Sequence, residues 1–181
     1  MISRKLVLPV LVAGLLGAAY SVSADDGSVL TEDRINAFYQ GSVDAQMKGV
    51  KPTYEFIKKH THDEADITIH SISNMDGSLP QKQTMSLNKQ ELLRETQKGM
   101  ELIQMGKVEN NILRLEISED GKSAKVKDNT YSVFTLSMDL VTKFRVEQSM
   151  LCDSVIVLNN DNIVQTKSSV CNSEDHVKQT H

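Results

Sequence analysis

A carboxylate held among apolar neighbours is the group in this chain with the clearest physical reason to be reactive. Asp128 lies in residues 124–138, which alternate as a long strand does, and it shares parity with Val126, Thr130, Ser132 and Phe134. Burial on that inward face disfavours the ionised form, which suits a proton donor or a base. The competing reading makes Asp128-Asn129 a bulge or turn that divides the run into two strands, where an Asp is ordinary. Tyr39 stands at helical spacing with Ile35, Phe38 and Val43. It reads first as a core residue with its hydroxyl at the rim.

Other groups with chemical potential have plainer explanations. His60, His62 and Asp63 form a His-x-His-Asp cluster, with His70 further on. On a strand, residues two apart share a face, so a divalent metal is geometrically conceivable. The cluster falls at a predicted helix-to-strand junction beside Lys58 and Lys59, and a solvated loop is the better reading. His176 and His181 lie near the C-terminus and add no ligand set. After Met1, the methionines are scattered from Met47 to Met150, which fits packing rather than copper binding by clustered sulfurs. No Gly-x-Ser-x-Gly, Walker or His-Glu-x-x-His sequence occurs. No cofactor is expected.

Two cysteines, Cys152 and Cys171, offer no Cys-x-x-Cys pair and no nearby His for zinc. An intramolecular disulfide is the expectation. The start of the chain agrees with it. Arg4 and Lys5 precede an apolar run from Leu6 to Tyr20, and Val22-Ser23-Ala24 ends in small residues suited to cleavage. That run is shorter than the roughly 20 residues of a spanning helix. Residues 1–24 therefore read as a secretory signal of bacterial appearance. The destination is the periplasm or the outside of the cell, where disulfides persist, with no stable membrane insertion after cleavage. The whole chain has net charge −4, and the leader holds Arg4 and Lys5 but no carboxylate, so the remainder carries −6. Such a surface disfavours nucleic acid.

The elements that must position these groups follow from caps and spacing. Residues 25–30 form a short lead-in. Thr31 caps a first helix, with Glu32 and Asp33 in its first turn and a stop by Gly49. Pro52 opens a short second helix containing Tyr54, Phe56 and Ile57. Asn88 and Glu91 make a capping box, Leu87 and Leu92 a staple, and the third helix runs on through Ile103 to end near Gly106. Strands are expected at 66–72, 108–118, 124–138, 144–158 and 163–171, with turns at 74–77, 119–122 and 159–162. Leu113, Leu115 and Ile117 should share one side of their strand. Pairing Leu158 with Ile163 would set Cys152 opposite Ser169, so the disulfide requires a bulge or a longer loop. Residues 31–171 then form one α+β domain, and 172–181 a frayed polar tail.

This order (helix, short helix, strand, strand-like stretch, long helix, then a meander of long strands) resembles the nuclear transport factor 2-like superfamily. That group includes ketosteroid isomerases and SnoaL-like cyclases. The segment Met85-Ser-Leu-Asn-Lys-Gln-Glu-Leu-Leu, leading into the long helix, is similar to the start signal such proteins carry there. The resemblance covers about residues 30–171 and implies N-terminal helices packed on a curved antiparallel sheet, a cone enclosing an apolar pocket. It makes Phe38, Tyr39, Tyr54, Ser132 and Phe134 candidate pocket residues. The isomerases use a Tyr on the first helix and two acidic groups lining the cone; Tyr39 and Asp128 fit two of those places, and no residue matches the third. The expected function is therefore an exported, non-enzymatic domain for a small apolar ligand or a protein partner. An acid–base isomerase or cyclase is the first alternative and a subunit of an envelope complex the second. Related folds pair through the sheet, so the resemblance also admits a homodimer.

Overall fold

The computed structural model describes residues 27–138 and 142–180; the expected signal at 1–24 lies outside them. Helices α1 (Glu32–Lys48) and α2 (Val50–His60) lead into β1 (Thr61–Met75), β2 (Gln81–Leu87) and helix α3 (Lys89–Met100). Four long strands follow: β3 (Ile103–Ile117), β4 (Ser123–Ser137), β5 (Lys143–Leu158) and β6 (Val164–Thr180). They form one six-stranded sheet in the order β2-β1-β6-β5-β4-β3, antiparallel except for the parallel β1–β6 pair. The chain has the expected α+β arrangement, with helices ahead of a curved, open sheet.

Local signals explain most boundaries. The Thr31 side chain accepts from the Arg34 N–H, and Gly49 ends α1 at φ 99°, a conformation natural to glycine. Gly49 also precedes α2, which starts two residues before Pro52; proline there lies in the first turn, where its missing N–H is not needed. Both halves of the Asn88–Glu91 capping box form, each at 3.0 Å. Before α1, Leu30 is buried and its N–H bonds the Gly121 carbonyl at 2.7 Å. The Arg34 guanidinium binds the carbonyls of Gly27 and Val29. Gly121 sits at φ 65°, and a Cβ there would lie 2.7 Å from Val29 Cβ, so this turn tolerates nothing larger.

Three expectations about elements fail for one reason, that strand pairing outweighs local spacing. Helix α3 ends at Met100 rather than near Gly106, because Ile103 is needed opposite Leu136 on β4. Gly106 instead marks a register shift between Met105 and Lys107. Leu113 does not share a side with Leu115 and Ile117. It occupies the bulge between Ile112 and Arg114 and is 58% exposed. Of the expected frayed tail, residues 172–180 are strand: β6 continues to Thr180, and Cys171, Ser173, Asp175 and Val177 alternate inward against β5.

The same register accounting brings the cysteines together. The β5–β6 loop is one residue longer than expected, so Leu158 pairs with Val164, and a bulge between Val155 and Ile156 adds a second shift. Cys152 thereby faces Cys171, Cα atoms 4.1 Å apart, in a disulfide. The concave face can be read as cross-strand rows. Ile112, Asp128, Cys152, Cys171 and Ile69 form one row, packed under the helices. Two mostly polar rows follow: Asn110, Thr130, Met150, Ser173 and Ser71, then Val108, Ser132, Gln148, Asp175 and Ser73. Beyond them Met105, Phe134, Val146, Val177 and Met75 belong to a second apolar cluster, separate from the main core.

Candidate functional site

Asp128 lies inside an unbroken β4, so the turn that would have made it an ordinary surface Asp is absent. It is 3% exposed. Asn110 Nδ2 donates to its Oδ2 at 2.7 Å, and the Thr130 hydroxyl donates to the same oxygen at 3.4 Å. The Asn110 amide also reaches Thr130 Oγ1 at 2.7 Å. The Tyr39 hydroxyl, brought from α1, faces the carboxylate as a further donor. Burial pushes the Asp128 pKa up to about 6, against the opposing hydrogen bonds from Asn110, Tyr39 and Thr130 and with a smaller push from the Asp153 charge.

Tyr39 is the complementary half. Its pKa is raised well above the ordinary phenol value, first by burial and then by the Asp128 charge and hydrogen bond, with a Ser154 hydrogen bond acting the other way. The phenol thus stays protonated and points a donor at a carboxyl that titrates near neutrality. Between α1 and β3 runs a groove of about 420 Å³, lined by Asp33, Asn36, Ala37, Tyr39, Gln40, Asn110 and Ile112. Its wall therefore contains two direct partners of Asp128, Tyr39 and Asn110. A ligand in the groove would lie against both residues, while Asp128 holds them from behind. The lining is mixed polar and apolar rather than the apolar pocket expected.

The other candidate pocket residues lie elsewhere. Phe38 is core, its ring 5.8 Å from Phe56 and 5.7 Å from His60. Tyr54 packs half-buried on that core. Ser132 is buried and bonds the Gln148 carbonyl oxygen at 3.4 Å, and Phe134 belongs to the second apolar cluster. His60 and His62 do not converge, because the helix-to-strand change falls between them. His60 ends α2, stacked on Phe56 at 4.3 Å with Nδ1 at 2.8 Å from the Val164 carbonyl. Burial lowers its pKa, with Lys59 adding to the effect. His62 Nδ1 accepts from the Glu64 N–H, Asp63 pairs with Lys89 at 2.7 Å, and His70 meets Thr84 on the outer face. Among the described residues no group of three or more His, Cys, Asp or Glu could hold a metal ion.

Asn110 is the residue that sequence reasoning missed. Its signal was an amide at inward parity between Val108 and Ile112, opposite a strand carrying the one buried-parity carboxylate then in view. Among the described residues no helix is long and apolar enough to cross a membrane.

No protein-family model matches the sequence, and no curated protein matches it. Solved structures similar to it include an NTF2-like protein from Cytophaga hutchinsonii, 13% identical over 66% of this chain and 80% of that one, at TM-score 0.45. A conserved protein from Planctomyces limnophilus is 12% identical over 76% and 88%, at TM-score 0.48. A ketosteroid isomerase-like protein from Erwinia carotovora atroseptica is 13% identical over 73% and 95%, at TM-score 0.40. No residue role is carried over from them.

Proposed function

We propose that this chain is an exported binding domain that seats a small ligand in the groove between α1 and β3. The observation that carries the reading is the double use of Tyr39 and Asn110: each lines the groove, and each is fixed by Asp128. Polar side chains held in place at a groove wall lower the ordering cost of binding, which is how a small polar feature contributes to affinity and orientation. Ala37 and Ile112 supply apolar contact for the rest of the ligand. Export is supported by the signal pattern at 1–24 and by the Cys152–Cys171 disulfide.

A specific observation favours a second reading, an acid–base enzyme of the isomerase or cyclase kind. When the Asp128 carboxyl, whose pKa burial raises to about 6, is protonated, it can donate to the Tyr39 oxygen and free the phenol O–H for a substrate in the groove. In that case Tyr39 donates to a developing oxyanion and Asp128 tunes it from behind.

Native mass spectrometry of the protein isolated from its own source, without refolding, tests the first reading. The expected species starts near Asp25, is two protons lighter than the dithiol form, and carries a small-molecule adduct that Asn110→Ala loses. A bare species, or an adduct indifferent to Asn110→Ala, would remove the groove from the account. A retained leader would remove export.

A further inference from the structure

A second buried carboxylate lies on the concave face, away from the Tyr39 groove. Asp175 is fully buried. Its Oδ1 accepts from Gln148 Nε2 at 2.9 Å and from the Ser173 hydroxyl at 2.8 Å. Its Oδ2, equally buried, has no hydrogen-bond partner among the described residues. One strand over, Ser71 is 2% exposed and its hydroxyl also has none. Ser71 faces Ser173 in the parallel β1–β6 pair, so the two orphan groups lie one inner-face position apart. Buried polar atoms in folded proteins are almost always satisfied, and a carboxylate oxygen without a donor is among the costliest exceptions.

The surroundings specify what would satisfy them. Among the described residues no basic side chain is bonded to Asp175; its neighbours Glu174 and His176 are exposed on the other face and pair with each other at 3.5 Å. The missing partner is thus a donor and, to balance the carboxylate, a cation. Toward the C-terminal end of β6 the next inner row is apolar, with Val177, Val146 and Phe134, and half-buried Met75, Met105 and Met138 pack against that cluster. Methionine thioethers repack readily around hydrocarbon. From Asp175 to Gln179 the strand covers about 13 Å at about 3.3 Å per residue, long enough to run alongside an extended chain of about eight carbons.

We propose that Asp175 Oδ2 and Ser71 Oγ form the head-group seat for a small amphiphilic amine, whose ammonium donates to both oxygens while its hydrocarbon lies against Val177, Val146 and Phe134. The seat does not depend on the Tyr39 groove. A bare native mass spectrum would sink the groove and leave this proposal to its own test.

That test is calorimetric titration of the secreted protein at pH 7 with octylamine, and with octanol as the neutral partner of equal length. Octylamine should bind one to one and at least tenfold tighter than octanol. Asp175→Asn should cost octylamine at least tenfold and octanol little, and Ser71→Ala should cost octylamine about threefold. Absence of saturable octylamine binding, equal affinity for octanol, or an unchanged Asp175→Asn would overturn the proposal and leave Oδ2 to an internal water. Should Asp175→Asn fail to give a cooperative unfolding transition, the octylamine-to-octanol ratio in Ser71→Ala decides: a ratio equal to that of the parent protein overturns the seat.

Discussion

Asp128 and Asp175 are both buried on the concave face, and they are treated in opposite ways. Asp128 stands one strand from the sheet edge and gathers donors from three elements, and two of the donor residues, Tyr39 and Asn110, also line an open groove. Asp175 stands in the middle of the sheet, takes both of its donors on one oxygen and leaves the other bare. Burial raises both pKa values, and it is the largest cause in each case. The difference is completeness. A satisfied buried carboxylate organises its neighbours, whereas a half-satisfied one waits for a partner.

The largest test breaks the row that anchors Asp128. Cys152 pairs directly with Asp128 on β4 and with Cys171 on β6. Replacing both cysteines with Ser removes a closure across a sequence separation of 19 residues, worth about 3 kcal/mol in the chain-entropy account. The expected result is a loss of unfolding free energy of that order, read from a lowered denaturation midpoint. Amide exchange should rise in the Asp128 row more than in the Asp175 row, four residues further along β6. Equal loosening of both rows would show that the two carboxylates share one cooperative unit.

The next test uses pH. Asp128 has a folded pKa above its unfolded value of 3.8, so its neutral form is the one that folding favours. Its stabilising contribution is present below pH 3.8 and is lost as pH rises through about 6. Over that window a shift of this size corresponds to up to about 3 kcal/mol. Asp128→Asn should flatten the difference, so that stability measured from pH 4 to 7 falls less than in the parent protein. Burial lowers the pKa of His60, which works with the opposite sign: protonation of the unfolded chain erodes stability as pH falls below its ordinary 6.5. Comparison of the variant with its parent cancels that background. A slope unchanged by Asp128→Asn would mean that another group carries the pH dependence.

The two carboxylates were also unequally legible in the sequence. Asp128 stood out because apolar Val126 and Phe134 share its parity, and the caps at Thr31 and Asn88 placed the helices that cover it. Tyr39 followed from helical spacing and the resemblance. Asp175 was invisible, since Ser173 beside it belongs to a polar belt and the stretch around it is mostly polar. An alternation of serine and asparagine with glutamate and aspartate reads as a solvated tail, yet pairing with β1 and β5 makes it a central strand. His60 misled for a related reason. Its spacing to His62 mattered only if both were on a strand, and the backbone changes type between them. Single-strand periodicity reports which face is apolar, whereas a polar row inside a sheet emerges only from the register of several strands together.

The smallest test compares single donors. Thr130 donates to Asp128 at 3.4 Å, beside the much shorter Asn110 bond to the same oxygen. Ser173 donates to Asp175 at 2.8 Å and is one of only two donors there among the described residues. Thr130→Val keeps shape and leaves Asn110 and Tyr39 on Asp128, but it also removes the acceptor of the 2.7 Å Asn110 bond, so a loss of about 1 kcal/mol is expected. Ser173→Ala leaves Asp175 with Gln148 alone, and a loss of about 1.5 kcal/mol is expected because a bond to a charged group is removed. Removing either donor also withdraws support from the ionised form, so each carboxyl pKa should move upward, and the Asp175 movement should be the larger. Carboxyl-carbon NMR titration of both variants measures this directly. If Asp128 moves as far as Asp175, the bare Oδ2 makes no difference to how its carboxylate responds, and the contrast between the two sites reduces to position in the sheet.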